Sequence, residues 1–95
     1  MNYVEVNGSD DAHEIILYSL ATCPHCTSAK KYLKEKGLAF KYINVDGATR
    51  DEKREVSRLL KENNLPIAFP VLIIDEDVIQ GFDPELIEES LMCET

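Results

Sequence analysis

Two thiols two residues apart, in Cys23-Pro24-His25-Cys26, lie directly after the apolar run Ile15-Ile16-Leu17-Tyr18 and directly before a helical pattern. At the start of a helix such a pair falls about one turn apart on one face. It can then close or open a disulfide with little backbone movement. Pro24 suits the first helical position, where its missing N–H would have no partner in any case. That placement makes Cys23 the N-cap residue, with its sulfur near the unpaired N–H groups of His25 and Cys26. Those donors, with the positive end of the helix dipole, favour thiolate over thiol. Cys23 is therefore expected to be the exposed nucleophile, and Cys26, one turn deeper, the resolving thiol. A protonated His25 would add positive charge beside Cys23 and make the pair more oxidising; a tolerated surface histidine is the plainer reading of the same residue. The chemistry these residue types serve is dithiol–disulfide exchange.

Metal binding is the other use of paired cysteines. A tetrahedral site needs two further ligands, for which only His13, His25 and Cys93 remain, and His25 sits between the cysteines in poor geometry. No metal ligands are therefore expected, with an iron–sulfur or other metal-binding module completed by outside thiols as the alternative. Cys93 reads as a spare thiol and His13 as a surface residue.

The elements that must position the pair follow from hydrophobic spacing and turn residues. Ile15 to Ser19 predicts a buried strand, short and apolar, with Tyr18 in the core. A helix follows from Pro24 to about Lys36, with Ala29 and Leu33 on the face of Cys26 and Gly37 as its C-terminal stop. Lys30, Lys31 and Lys34 read as its solvated face, with screening of the net acidity beside the thiols as the alternative, since they share the helix that carries them. Phe40, Tyr42, Ile43 and Val45 predict a second strand ending at Asp46-Gly47. Thr49 and Glu52 fit a capping box, which opens a helix carrying Val56, Leu59 and Leu60 inward. Asn63-Asn64 ends it. Val71-Leu72-Ile73-Ile74 is the most apolar strand, and Asp75-Glu76-Asp77 turns it into Val78-Ile79. Asp83-Pro84-Glu85 starts a last helix, with Leu86, Ile87 and Leu91 as its apolar face. Tyr3-Val4-Glu5-Val6 alternates weakly and is followed by the turn signal Asn7-Gly8, so residues 1–13 form either a tail or an extra edge strand.

With 95 residues and 44% hydrophobic content the chain suits one packed domain, and its net charge of −8 argues against nucleic acid and anionic membrane as partners. The first residues have neither the basic start nor the apolar centre of a signal peptide, and no apolar run reaches membrane-spanning length. The expected location is cytoplasmic, where a disulfide is usually transient and catalytic.

The order βαβ-α-ββα, with Cys-Pro-X-Cys between the first strand and first helix, resembles the thioredoxin fold in its small glutaredoxin form. Three places carry the resemblance: Cys23-Pro24-His25-Cys26, Phe69-Pro70 before the apolar strand, and Gly81-Phe82-Asp83 after the hairpin. It implies an α/β domain over residues 14–95, with a mixed four-stranded sheet flanked by three helices. It implies that Pro70 is cis and faces the cysteines, and that Phe69 pairs with the extended backbone of a bound thiol substrate. Gly81, Phe82 and Asp83 would complete the substrate site. The implied activity is reduction of protein or small-molecule disulfides, Cys23 attacking and Cys26 resolving. The implied partners are a disulfide-bearing protein and a reductase or thiol reductant, with the chain acting as a monomer.

This sequence departs from the family pattern in places that matter for glutathione. The lysine that usually stands three residues before the first cysteine is Leu20, Thr-Val-Pro becomes Ala68-Phe69-Pro70, and Gly-Gly-X-Asp-Asp becomes Gln80-Gly81-Phe82-Asp83-Pro84. Pro84 cannot donate an N–H to a ligand carboxylate. Weak glutathione binding is expected. No cofactor is expected beyond the Cys23–Cys26 disulfide itself, and glutathione, a flavoprotein reductase and a ferredoxin-linked reductase all remain as possible electron donors.

Overall fold

In a computed structural model, which describes residues 3–92, three helices pack on a mixed five-stranded sheet. The strands are β1 (Val4–Val6), β2 (Ile15–Ser19), β3 (Phe40–Asn44), β4 (Val71–Ile74) and β5 (Asp77–Gln80), and the helices α1 (Pro24–Glu35), α2 (Arg50–Glu62) and α3 (Pro84–Met92). The spatial order is β1-β3-β2-β4-β5. Strands β2 and β3 are parallel, as a connection through α1 requires, and every other pairing is antiparallel.

The sheet has five strands, one more than the resemblance implies, because Tyr3-Val4-Glu5-Val6 does not trail as a tail. Val4 pairs with Tyr42 and Val6 with Phe40, covering the outer edge of β3. Tyr3 adds a hydroxyl contact of 3.2 Å to Tyr18, and Lys41 lies over the Tyr3 ring at 4.7 Å. These side-chain contacts compensate for a strand of only three residues.

Alternation along β2 and β4 divides the core in two. Ile15, Leu17, Leu72 and Ile74 face one way, against Ala29 and Leu33 of α1 and Ile87 of α3. Ile16, Tyr18, Val71 and Ile73 face the other way, against Val56 and Leu60 of α2. The central strands are thus covered on both faces, which is why they read as apolar runs rather than as alternating ones.

The helix boundaries follow the sequence signals. Gly37, at φ +70, ends α1 in the left-handed region. Thr49 and Glu52 make both bonds of the capping box at α2. Asp83 caps α3, its Oδ1 accepting from the N–H groups of Glu85 at 3.1 Å and Leu86 at 3.3 Å. Two readings need correction. Leu86 is 44% exposed and does not join Ile87 in the core, because it sits in the first turn of a short helix beside that cap. His13 is not an isolated surface residue: its Nδ1 lies 2.7 Å from Asp75 Oδ2, and Asp75 Oδ1 accepts from the Glu14 N–H at 3.0 Å. The carboxylate at the tip of the β4–β5 hairpin thereby anchors the entry to β2.

Candidate active site

The cysteines sit where β2 ends and α1 begins. Ser19 is the last residue of β2, and Leu20 to Thr22 form a short loop. Two contacts hold that loop. The Leu20 carbonyl accepts from the Cys23 N–H at 3.4 Å, and the Ala21 N–H lies 3.2 and 3.3 Å from the two carboxylate oxygens of Asp46. Asp46 belongs to a 3-10 turn over Val45–Gly47 that follows β3 directly. Parallel neighbours end at the same edge of a sheet, so the turn after β3 lies beside the loop after β2.

Cys23 is the N-cap of α1, with extended backbone (φ −85, ψ 121) and Pro24 in the first turn. Among the described residues no N–H of the first turn makes a capping hydrogen bond to its sulfur. The amides of Cys26 and His25 nevertheless lie on the side where a thiolate would form. The Cys26 amide most of all, then the Cys26 thiol and the His25 amide, hold the Cys23 pKa below the ordinary thiol value. The effect is the one expected of unpaired donors at a helix start.

Cys26 is the opposite case. It has no exposed surface, and burial pushes its pKa up to about 11, with proximity to Cys23 adding to the rise. The Leu20 N–H donates to its sulfur at 3.3 Å, and that bond and the charge of Lys30 act in the other direction. The helix thus presents one half-exposed thiol that ionises readily beside a buried one that does not. His25 is exposed, and its backbone amide is its contribution to this arrangement.

Lys30 departs from the solvated face predicted for it. Its Nζ donates to Asn44 Oδ1 at 3.0 Å and lies 4.2 Å from the centre of the Tyr42 ring. Asn44 Oδ1 also accepts from Ser19 Oγ at 2.7 Å, which satisfies a serine with no exposed surface. Ser19 and Asn44 are direct register partners on β2 and β3. Lys31 and Lys34, by contrast, are exposed as expected.

The start of β4 reaches the same end of the sheet. The Phe69–Pro70 peptide is cis, as the resemblance implies. Tyr18 pairs with Val71, which puts Pro70 one step further along, at the sheet end from which the cysteine loop departs. The Gly81 N–H donates to the Pro70 carbonyl at 2.7 Å, and Gly81 itself is at φ +85, where a side chain would be strained. Within the described residues the backbone N–H and C=O of Phe69 make no hydrogen bond. Phe82 packs on the core edge-on to Tyr32, ring centres 5.7 Å apart, and Asp83 serves as the α3 cap. Cys23, Pro24, His25 and Cys26 are thus gathered at one junction, with Phe69, Pro70 and Gly81 linked along its β4 side.

Sequence reasoning missed Asp46 and Asn44 as parts of this site, and placed Lys30 beside it only as one of three solvated charges. Asp46 and Asn44 carried one usable signal, their place at the end of a strand parallel to β2. Cys93 lies outside the described residues. A hollow of about 280 Å³ lined by Glu5, His13, Glu14 and Lys41 among others shares no residue with the thiol pair and holds no thiol or hydroxyl side chain. Among the described residues no three His, Cys, Asp or Glu side chains converge as metal ligands would, so the iron–sulfur alternative gains no support.

A glutaredoxin family model matches residues 15–79, a span containing both cysteines and the cis-proline. The chain belongs to the glutaredoxin family. Glutaredoxin 1 of Rickettsia conorii is 37% identical over 71 residues, which is 75% of this chain and 67% of that protein. The crystal structure of a glutaredoxin from Methanosarcina mazei superposes with a TM-score of 0.85 at 36% identity, covering 96% of this chain and 88% of that one. Methanoredoxin from Methanosarcina acetivorans gives a TM-score of 0.77 at 34% identity, covering 87% and 88% of the two chains. Family and fold together support a thiol–disulfide oxidoreductase role for this glutaredoxin-like chain. No helix among the described residues is long and apolar enough to cross a membrane.

Proposed function

We propose that the protein reduces disulfides by a two-step dithiol exchange. The Cys23 thiolate attacks one sulfur of a substrate disulfide, forming a mixed disulfide and releasing the other sulfur as a thiolate, which takes up a proton. Cys26 then loses its proton and attacks the Cys23 sulfur. That step forms the Cys23–Cys26 disulfide and releases the remaining substrate sulfur as a second thiol. Two electrons and two protons pass to the substrate, and an outside thiol or protein reductase restores the dithiol.

The observation that carries this reading is the opposed displacement of the two thiols, Cys23 downward and Cys26 upward. The asymmetry also orders the steps. While Cys23 is a thiolate, its charge and its hydrogen bond hold the Cys26 proton in place. Once Cys23 is bound in a mixed disulfide that influence is gone, and Cys26 ionises more easily at the moment it is needed. The Leu20 amide and the Lys30 charge then favour the thiolate. At pH 7 a thiol with a pKa of about 11 is ionised in roughly one molecule in ten thousand, so without this release resolution would be slow.

The substrate reading favours a polypeptide disulfide and a protein reductase over glutathione. Leu20, at the place of the usual lysine, has no charge for a glutathione carboxylate and packs against the apolar cluster under α2. The test is substrate trapping. Cys26→Ser should accumulate a mixed disulfide visible by mass spectrometry, and Cys23→Ser should abolish disulfide reduction. A Cys23→Ser protein that still reduces disulfides would overturn the proposal.

A further inference from the structure

The side chain of Gln80, the last residue of β5, turns onto the segment that leads into the cis-proline. Its Nε2 donates to the Pro66 carbonyl at 2.7 Å and to the Ala68 carbonyl at 3.2 Å. A primary amide has two N–H donors, so one side chain can serve both acceptors. The residue between them, Ile67, points outward and is 71% exposed, more than any other large apolar residue in the described chain. The N–H of Gly81, the residue after β5, donates to the Pro70 carbonyl. Two consecutive residues therefore grip three alternate carbonyls, those of Pro66, Ala68 and Pro70. Ile67 is left exposed, and among the described residues the backbone of Phe69 is left without a hydrogen bond.

We infer that Gln80 is a positioning residue that clamps residues 66–69 as a docking edge for a polypeptide carrying the target disulfide. The inference rests on the oxidoreductase reading above and deepens it. A segment of this kind, ordered before the substrate arrives, loses less conformational freedom on binding. The unbonded Phe69 N–H and C=O can pair with an extended substrate strand, and Ile67 offers it an apolar contact. A small disulfide has no strand to pair and little apolar surface to meet Ile67, so the clamp discriminates between the two. The glycine that the family pattern places here has no side chain to supply it. Gln80 touches neither sulfur, and its effect passes through the segment it holds.

The test uses the full chain and two isosteric variants. Gln80→Met keeps the length of the side chain and removes both donors; Gln80→Glu keeps the shape and replaces the donors by acceptors. Insulin serves as the polypeptide disulfide and hydroxyethyl disulfide as the small one, with dithiothreitol as reductant and its slow uncatalysed rate subtracted. Both variants should lose about tenfold in selectivity for insulin over the small disulfide, equivalent to roughly 1.4 kcal/mol. The loss should come from a higher KM for insulin rather than from kcat. Backbone NMR order parameters at Ile67 and Phe69 should fall in both variants, while those of β2 and β4 keep their values. Unchanged selectivity and order parameters would overturn the inference. So would an equal loss on both disulfides, which would place the effect in the chemistry or the fold. A wild-type protein that reduces neither disulfide would overturn the functional reading and the docking role with it; the order parameters would then show separately whether Gln80 orders the segment.

Discussion

Replacing Lys30 by methionine removes a charge that the structure uses twice, once for packing and once for chemistry. The Nζ group bonds Asn44 at 3.0 Å and lies 4.2 Å from the Tyr42 ring centre. A hydrogen bond from a charged donor contributes about 1.5–3 kcal/mol, and a cation–π contact about 0.5–1 kcal/mol when exposed. Lys30 is only half-buried, and methionine retains most of the stem, so the net cost should fall near 1–2 kcal/mol. No buried group is orphaned, because Asn44 Oδ1 still accepts from Ser19. In a domain of this size that corresponds to a fall in Tm of about 5–15 °C. The chemical effect is separate. Lys30 favours the Cys26 thiolate and is not among the groups that act on Cys23. Each unit by which the Cys26 pKa rises cuts its thiolate about tenfold, and the gain in nucleophilicity returns about threefold of that, for a net slowing of roughly threefold per unit. Rapid mixing of the reduced protein with dithiobis-nitrobenzoate, in a Cys93→Ser background, resolves the two steps as two releases of coloured thiolate. Lys30→Met should leave the first release unchanged, slow the second by about threefold for each unit that the Cys26 pKa rises, and move its pH midpoint upward. A second release unaffected despite a lower Tm would reduce Lys30 to a packing residue, and slowing of the first release instead would refute the assignment of its charge to Cys26.

Asp83→Ala removes the acceptor for two N–H groups of α3 and should cost about 1 kcal/mol in urea unfolding, with little change in Cys23 alkylation. His13 has its pKa raised above 6.5, chiefly by the hydrogen bond to Asp75, and Asp75 is lowered below 3.8 mainly by the same bond. The His13 contribution to stability is therefore complete below 6.5 and lost as pH rises through its higher folded-state value, while that of Asp75 is lost as pH falls below 3.8. His13→Gln should accordingly lower Tm at about pH 6 and leave it nearly unchanged at about pH 9. Leu20→Lys should raise turnover with glutathione, by about tenfold or more if the new charge meets a ligand carboxylate, without changing Cys23 reactivity; wild-type turnover with glutathione that the substitution does not raise would show that this chain needs no such charge.

Local signals carried most of the fold. The strand at Ile15–Ser19, the proline start of α1, the capping box at Thr49 and the Asp83 cap each depend on residues within a few positions of one another, and each stands where the sequence places it. The two cysteines were legible for the same reason. What surrounds them was not. Lys30 carries the residue type of a solvated face, and only the parallel register that sets Ser19 beside Asn44 turns it inward. Gln80 stands out in the sequence only as a departure from the family's first glycine, and its bonds exist only once the hairpin brings it against Pro66 and Ala68. The pairing of β1 with β3 depended on a contact across the chain that three weakly alternating residues cannot specify by themselves.

The central claim is that one helix start makes two unlike thiols, and alkylation as a function of pH tests it most directly. In the Cys93→Ser protein, iodoacetamide labelling of each cysteine-containing peptide can be followed by mass spectrometry. Cys23 should react first, with a midpoint below the ordinary thiol value of 9.0, and Cys26, which burial alone still holds above that value, should stay unlabelled until well above the Cys23 midpoint. Equal labelling of the two thiols across the range, or a Cys23 midpoint at the value of an unstructured cysteine, would contradict the account.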